Sequence, residues 1–95
     1  MRVPKEQINF LKNNIKNYLP EAKIYLFGSR VYNDKKGGDM DILVIASKEL
    51  SRQDKRNIKI AFYQTFGDQK IDITSFNFED NSPFKNLALL EGIEL

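Results

Sequence analysis

The sequence contains no cysteine and no histidine. Without cysteine there can be neither a disulfide framework nor a thiolate zinc site. Without histidine the commonest general base and the commonest transition-metal ligand are both missing. Any metal must be held by oxygen atoms, which favours magnesium or manganese. Charge of one sign is also scarce: the formal net charge is +2, too small for a surface that coats nucleic acid. The lysines form no long basic block and read as solvated surface. No apolar run is long enough to span a bilayer and no secretory leader is evident, so the expected location is the cytoplasm. At 95 residues the expectation is one domain spanning 1–95, with a limited core and little room for a separate substrate-binding lobe.

What is present has a clear order. Pro4 suits the first turn of a helix, and Ile8, Leu11, Ile15 and Leu19 recur at helical spacing until Pro20 stops the run. Residues 23–27 read as a β-branched and aromatic strand, followed directly by Gly28-Ser29. Residues 33–38 are polar and end in two glycines, which predicts a loop. Residues 39–46 read as a second strand, apolar after its aspartates and expected to be buried on both faces. Ser51 and Asp54 mark a helix start, Ile58, Ala61 and Phe62 its buried stripe, and Gly67 its end. Residues 70–76 read as a third strand, and Ser82-Pro83 opens a last short helix that Gly92 closes. Strands alternating with helices predict an α/β fold with a mixed central sheet of three or four strands flanked by helices.

Three aspartates stand where strands disfavour them. Asp39 and Asp41 are two apart on one strand, so both side chains leave the same face. A charge beside Met40, Ile42 and Leu43 is costly to bury unpaired, and two like charges repel. A divalent cation would relieve both problems. Asp72 lies between Ile71 and Ile73 and could face the pair if the strands are neighbours. The plainer reading is that Asp39 caps a strand end, Asp41 pairs with a lysine and Asp72 is an edge-strand charge; an Asp-x-Asp pattern by itself is weak. Gly28-Ser29 at a strand end offers backbone N–H groups and a hydroxyl to a phosphate, or is an ordinary turn. Arg30 could hold a phosphate oxygen or be a surface arginine.

Taken together, Tyr25-Leu26-Phe27-Gly28-Ser29-Arg30, a polar loop, and Gly37-Gly38-Asp39-Met40-Asp41-Ile42-Leu43-Val44 resemble the DNA polymerase β-like nucleotidyltransferase superfamily, and most of all its smallest branch, the minimal nucleotidyltransferases. Asp72 matches the place of that family's third carboxylate. The spacer of nine residues between Ser29 and Asp39 is about one shorter than the usual form, a change loops tolerate.

The resemblance implies the polymerase β-like fold and a magnesium- or manganese-dependent transfer of NMP from an NTP, with ATP the expected substrate. Asp39, Asp41 and Asp72 would be the catalytic and metal-binding residues. Gly28, Ser29 and Arg30 would hold the β- and γ-phosphates, and Asp72 would orient an acceptor hydroxyl. Relatives of this size often occur beside a small helical HEPN-type protein, as an antitoxin that adenylylates a tyrosine of the toxin. Two alternatives stay open: a non-catalytic nucleotide- or partner-binding subunit, and a small-molecule nucleotidyltransferase completed by a second subunit. A homo-oligomer is compatible with either. The apolar residues Leu87, Leu89 and Leu90 spread wider than one helical stripe, so part of the C-terminal segment is expected to stay exposed for docking.

Overall fold

A computed structural model describes residues 4–27, 40–67 and 70–95 of the chain. Its elements follow in the order α1 (Lys5–Tyr18), β1 (Lys23–Phe27), β2 (Met40–Ala46), α2 (Arg52–Phe66), β3 (Ile71–Asn77), α3 (Pro83–Glu91) and β4 (Ile93–Glu94). The strands form one mixed sheet in the order β3-β2-β1-β4. β1 runs antiparallel to β2 and to β4, while β2 and β3 are parallel.

Period-2 alternation sorts the strand residues onto two faces. Met40, Ile42, Val44 and Ala46 of β2 join Ile24 and Leu26 of β1 and Ile71 and Ile73 of β3 in the larger core. Helices α1 and α2 close that face with Leu11, Ile15, Ile58 and Phe62. The alternate residues Leu43 and Ile45 turn to the other face, where Ala88 of α3, Tyr25, Phe27 and Phe76 cover them. The run from Ile42 to Ile45 is therefore buried on both sides, as its unbroken apolar character predicts.

Capping chemistry sets the helix ends. The Ser51 hydroxyl accepts from the Asp54 amide at 3.0 Å and that of Ser82 accepts from the Lys85 amide at 3.2 Å, each satisfying an orphan donor of a first turn. Gly67 ends α2 with φ at 81°, a left-handed conformation that favours glycine. Gly92 ends α3 for a different reason. A Cβ there would sit 2.6 Å from the Ala88 carbonyl oxygen and 3.2 Å from that of Leu26, so only glycine lets the chain turn this close to β1 and enter β4. The third strand begins at Ile71 rather than 70, and β4 adds a pairing that was not anticipated.

The turn from β3 into α3 is organised by a charge. Lys85 is only 6% exposed, and its ammonium donates to the carbonyls of Asn77 (3.2 Å), Phe78 (2.9 Å) and Asp80 (2.7 Å). A buried ammonium is tolerated only when its protons are so occupied. The turn in exchange gains a pin that fixes where α3 starts.

Candidate active site

The strand register brings two of the predicted acids together. In the parallel β2–β3 pair, Asp41 is the Cα partner of Asp72. Partners in one row project to the same side, and the flanking residues Met40, Ile42, Ile71 and Ile73 all belong to the opposite, larger core. Asp41 and Asp72 thus share the face that carries α3. Adjacent strands lie about 4.8 Å apart, so the backbones of the two acids are close neighbours. The row extends to β1, where Phe27 is the Cα partner of Asp41. Phe27 is the residue directly before Gly28 in the sequence, and Met40 directly follows Asp39. Gly28, Ser29, Arg30, Asp39 and the predicted loop at 33–38 lie outside the described residues.

The environments of the two acids differ. Asp41, on an inner strand, is half-buried. Asp72 lies on the edge strand β3, and its side chain is 52% exposed with one oxygen 3.7 Å from the Lys59 ammonium of α2. An exposed pair at this separation contributes little, roughly 0–1 kcal/mol. It nevertheless places a cation at the outer rim of the acid row. The strand beneath is held in place by Tyr63, whose hydroxyl accepts from the Ile71 amide at 3.3 Å and faces the Ile71 carbonyl at 3.5 Å. This occupies backbone groups on the edge strand that would otherwise be open.

Among the described residues no group of three acids, histidines or cysteines is placed to hold a metal; the described part holds two of the three carboxylates proposed from the sequence. Their chemistry suits a hard divalent cation. Both are oxygen donors, they crowd one row of one face, and the chain has no nitrogen or sulfur ligand from histidine or cysteine to compete. Lys59 and Tyr63 were not anticipated as parts of this region. For Lys59 a signal existed: Arg52, Lys55, Arg56 and Lys59 stand at i, i+3, i+4 and i+7, so on a helix they share one side. The structure gathers these four around a shallow cavity of about 300 Å³ on α2.

The family model described as Polymerase beta, Nucleotidyltransferase matches residues 9–95. The chain belongs to this nucleotidyltransferase family. Similar folds occur in toxin–antitoxin structures. A chain of the MntA–HepT crystal structure matches with a TM-score of 0.68 and 17% identity, covering 96% of this chain and 70% of that one. A chain of a toxin–antitoxin structure with AMP-PNP matches with a TM-score of 0.70 and 18% identity, over 90% of this chain and 69% of that one. A chain from the tri-AMPylated Shewanella oneidensis HEPN toxin in complex with MNT antitoxin matches with a TM-score of 0.60 and 20% identity, over 93% and 70%. At these identities the likeness is one of fold. Among curated proteins none matches the chain. The three helices and four-stranded mixed sheet of the described residues agree with the fold expected for the family. No described helix of this nucleotidyltransferase domain is long and apolar enough to cross a membrane.

Proposed function

We propose that this domain moves AMP from ATP to a hydroxyl of a partner protein, a HEPN-type toxin that it thereby restrains, and that it does so with magnesium or manganese. The observation that carries the proposal is the shared row of Asp41 and Asp72 on one face of the sheet in a chain of the nucleotidyltransferase family. Structures of similar fold include one with AMP-PNP and one whose HEPN toxin is tri-AMPylated, which favours adenylyl transfer to a protein.

In this reading Asp39, Asp41 and Asp72 supply the oxygen donors for the metal, and Gly28, Ser29 and Arg30 receive the β- and γ-phosphates. A bound divalent cation would neutralise the triphosphate and the departing pyrophosphate. Asp72, the more exposed of the two described acids, would orient the acceptor hydroxyl and take up its proton as the oxygen attacks the α-phosphate in line. Asp41, half-buried on an inner strand, would hold the metal from the inner end of the row.

The acceptor needs a surface to dock on, and α3 supplies one. Phe84, Leu87 and Leu90 follow one another at spacings of three and are 46%, 54% and 83% exposed. Phe84 packs edge-on against Phe27 at 5.6 Å between ring centroids, and Phe27 is the register partner of Asp41. The exposed apolar stripe therefore begins beside the acid row. Such a stripe is a recurrent mark of an interaction surface.

The test is co-expression with a small helical HEPN-type protein, followed by mass spectrometry of its tyrosines. An added AMP that disappears with Asp41→Asn supports the proposal. A partner that co-purifies and is never modified would instead make this a binding subunit.

A further inference from the structure

The basic cavity on α2 is not explained by the fold. Like charges at i, i+3 and i+4 disfavour a helix, and Arg52 places a cation at the positive end of the helix dipole. Arg52 and Arg56 are exposed, and Lys55 and Lys59 are half-buried. Among the described residues Lys59 alone of the four is ion-paired, with Asp72. Local rules broken without a local benefit are expected where a site serves something outside the chain.

The position of this cavity indicates what it serves. Lys59 lines it and also meets Asp72, the acid that the proposed function places next to the acceptor. The cavity thus adjoins the acid row through Lys59. Its described lining has four cations and no aromatic ring, so it lacks the stacking platform on which single-stranded nucleic acid is held. A continuous phosphate backbone would also be carried against Asp72 and Asp41. A short acidic peptide segment can end before them.

Resting on the adenylyl-transfer reading, we infer that Arg52, Lys55 and Arg56 form a docking groove for acidic side chains that flank the acceptor hydroxyl of the substrate protein. Lys59 bridges the groove to Asp72. The cations neutralise the incoming carboxylates, and the acceptor hydroxyl is delivered to the acid row from the β3 edge. The substrate class is accordingly a protein hydroxyl in an acidic local sequence.

The experiment uses the full chain and fluorescent peptides with one central tyrosine, flanked by glutamate, glutamine or lysine, together with a single-stranded oligonucleotide of the same charge as the glutamate peptide. Binding is read by anisotropy at several salt concentrations. The wild type should bind the glutamate peptide at least about ten-fold more tightly than the glutamine peptide, with an advantage that fades as salt rises. Arg52→Gln/Lys55→Gln/Arg56→Gln should lose that advantage. Arg52→Glu/Lys55→Glu/Arg56→Glu should reverse it, preferring the lysine peptide, an outcome that an unfolded variant could not give. Equal binding of the glutamate and glutamine peptides by the wild type would overturn the inference. Tighter binding of the oligonucleotide than of the glutamate peptide would overturn it in favour of a nucleic-acid site. The same mixtures with ATP and magnesium separate this inference from the reading it rests on. Charge-selective binding and reversal without AMP on any tyrosine would uphold the groove and remove adenylyl transfer to tyrosine.

Discussion

Replacing Asp72 by asparagine sets two electrostatic effects against each other, and the structure allows them to be ranked. The substitution removes the ion pair with Lys59, which at 3.7 Å and half exposure contributes at most about 1 kcal/mol. It also removes the repulsion between Asp72 and its row partner Asp41. Two unit charges about 5 Å apart repel by roughly 0.8 kcal/mol in water and about 3 kcal/mol at the effective dielectric of a protein surface. Taken at strand spacing, the repulsion is of the same order as the ion pair or larger. The protein without ligand should therefore be equally stable or more stable as Asp72→Asn. With magnesium and a non-hydrolysable ATP analogue the order should invert. A ligand at about 100 times its dissociation constant adds roughly 2.7 kcal/mol. For a domain of this size that raises Tm by roughly 10–20 °C, a gain Asp72→Asn should largely lose. Thermal melts of both proteins, with and without ligand, read all four states. A variant that melts lower than wild type without ligand, and gains as much from magnesium and nucleotide, would show that Asp72 is only an edge-strand charge held by Lys59. The metal-site reading would then be refuted.

Three further outcomes are expected. Asp39→Asn and Asp41→Asn should each abolish nucleotide transfer, while Ser29→Ala, which in the proposed reading removes one hydrogen bond to a charged phosphate worth roughly 1.5–3 kcal/mol, should slow it by about ten- to a hundred-fold in a radiolabelled-ATP assay. Lys85→Met leaves three carbonyls of the β3–α3 turn without their donor and should cost roughly 2–4 kcal/mol in urea denaturation; an unchanged midpoint would show that water replaces the ammonium freely. The Glu21 carboxylate accepts from the Ser47 hydroxyl at 2.5 Å and from the Ser47 amide at 3.2 Å, and the hydroxyl is the main reason its pKa falls below the ordinary 4.5. Because the folded value is the lower one, the stabilisation is present above pH 4.5 and is lost as pH falls through the folded pKa. The stability gap between wild type and Ser47→Ala should accordingly be full at neutral pH and close on acidification.

Local chemistry made most of the elements legible. Ser51, Ser82 and Gly67 marked helix ends through their own side-chain or backbone preferences, and the run from Ile42 to Ile45 could only be a strand covered on both sides. The register was less accessible. That Asp41 rather than a neighbour faces Asp72 depends on how α2 returns the chain to a parallel strand, and no residue encodes that offset locally. A slip of one residue would have put Asp72 on the opposite face. β4 is two residues long, too short for any period to show, and exists because Gly92 allows a turn onto β1. The basic side of α2 was written in the sequence at helical spacing, but a count of charges along the chain hides what a helix brings together. The phosphate-side residues Gly28, Ser29 and Arg30, with Asp39, rest on the sequence motif.

The two surfaces beside the acid row bear on how such a small enzyme can be selective. α3 offers an exposed apolar stripe close to Phe27, and α2 offers a cluster of cations close to Asp72. Neither surface touches the reacting atoms in the proposed reaction, yet each can contribute binding energy that positions the acceptor hydroxyl. An isolated tyrosine would engage neither surface and would have to be oriented by Asp72 alone. A folded partner with an apolar ridge and an acidic flank would engage both, and misplacing either would move the hydroxyl away from the row. Selectivity would then follow from requiring both contacts at once, because the desolvation of Arg52, Lys55 and Arg56 is best compensated by an acceptor of opposite charge. In the proposed reaction the same requirement would limit misdirected transfer at Asp72 on the sheet edge, because few hydroxyls would reach it in an orientation that allows attack.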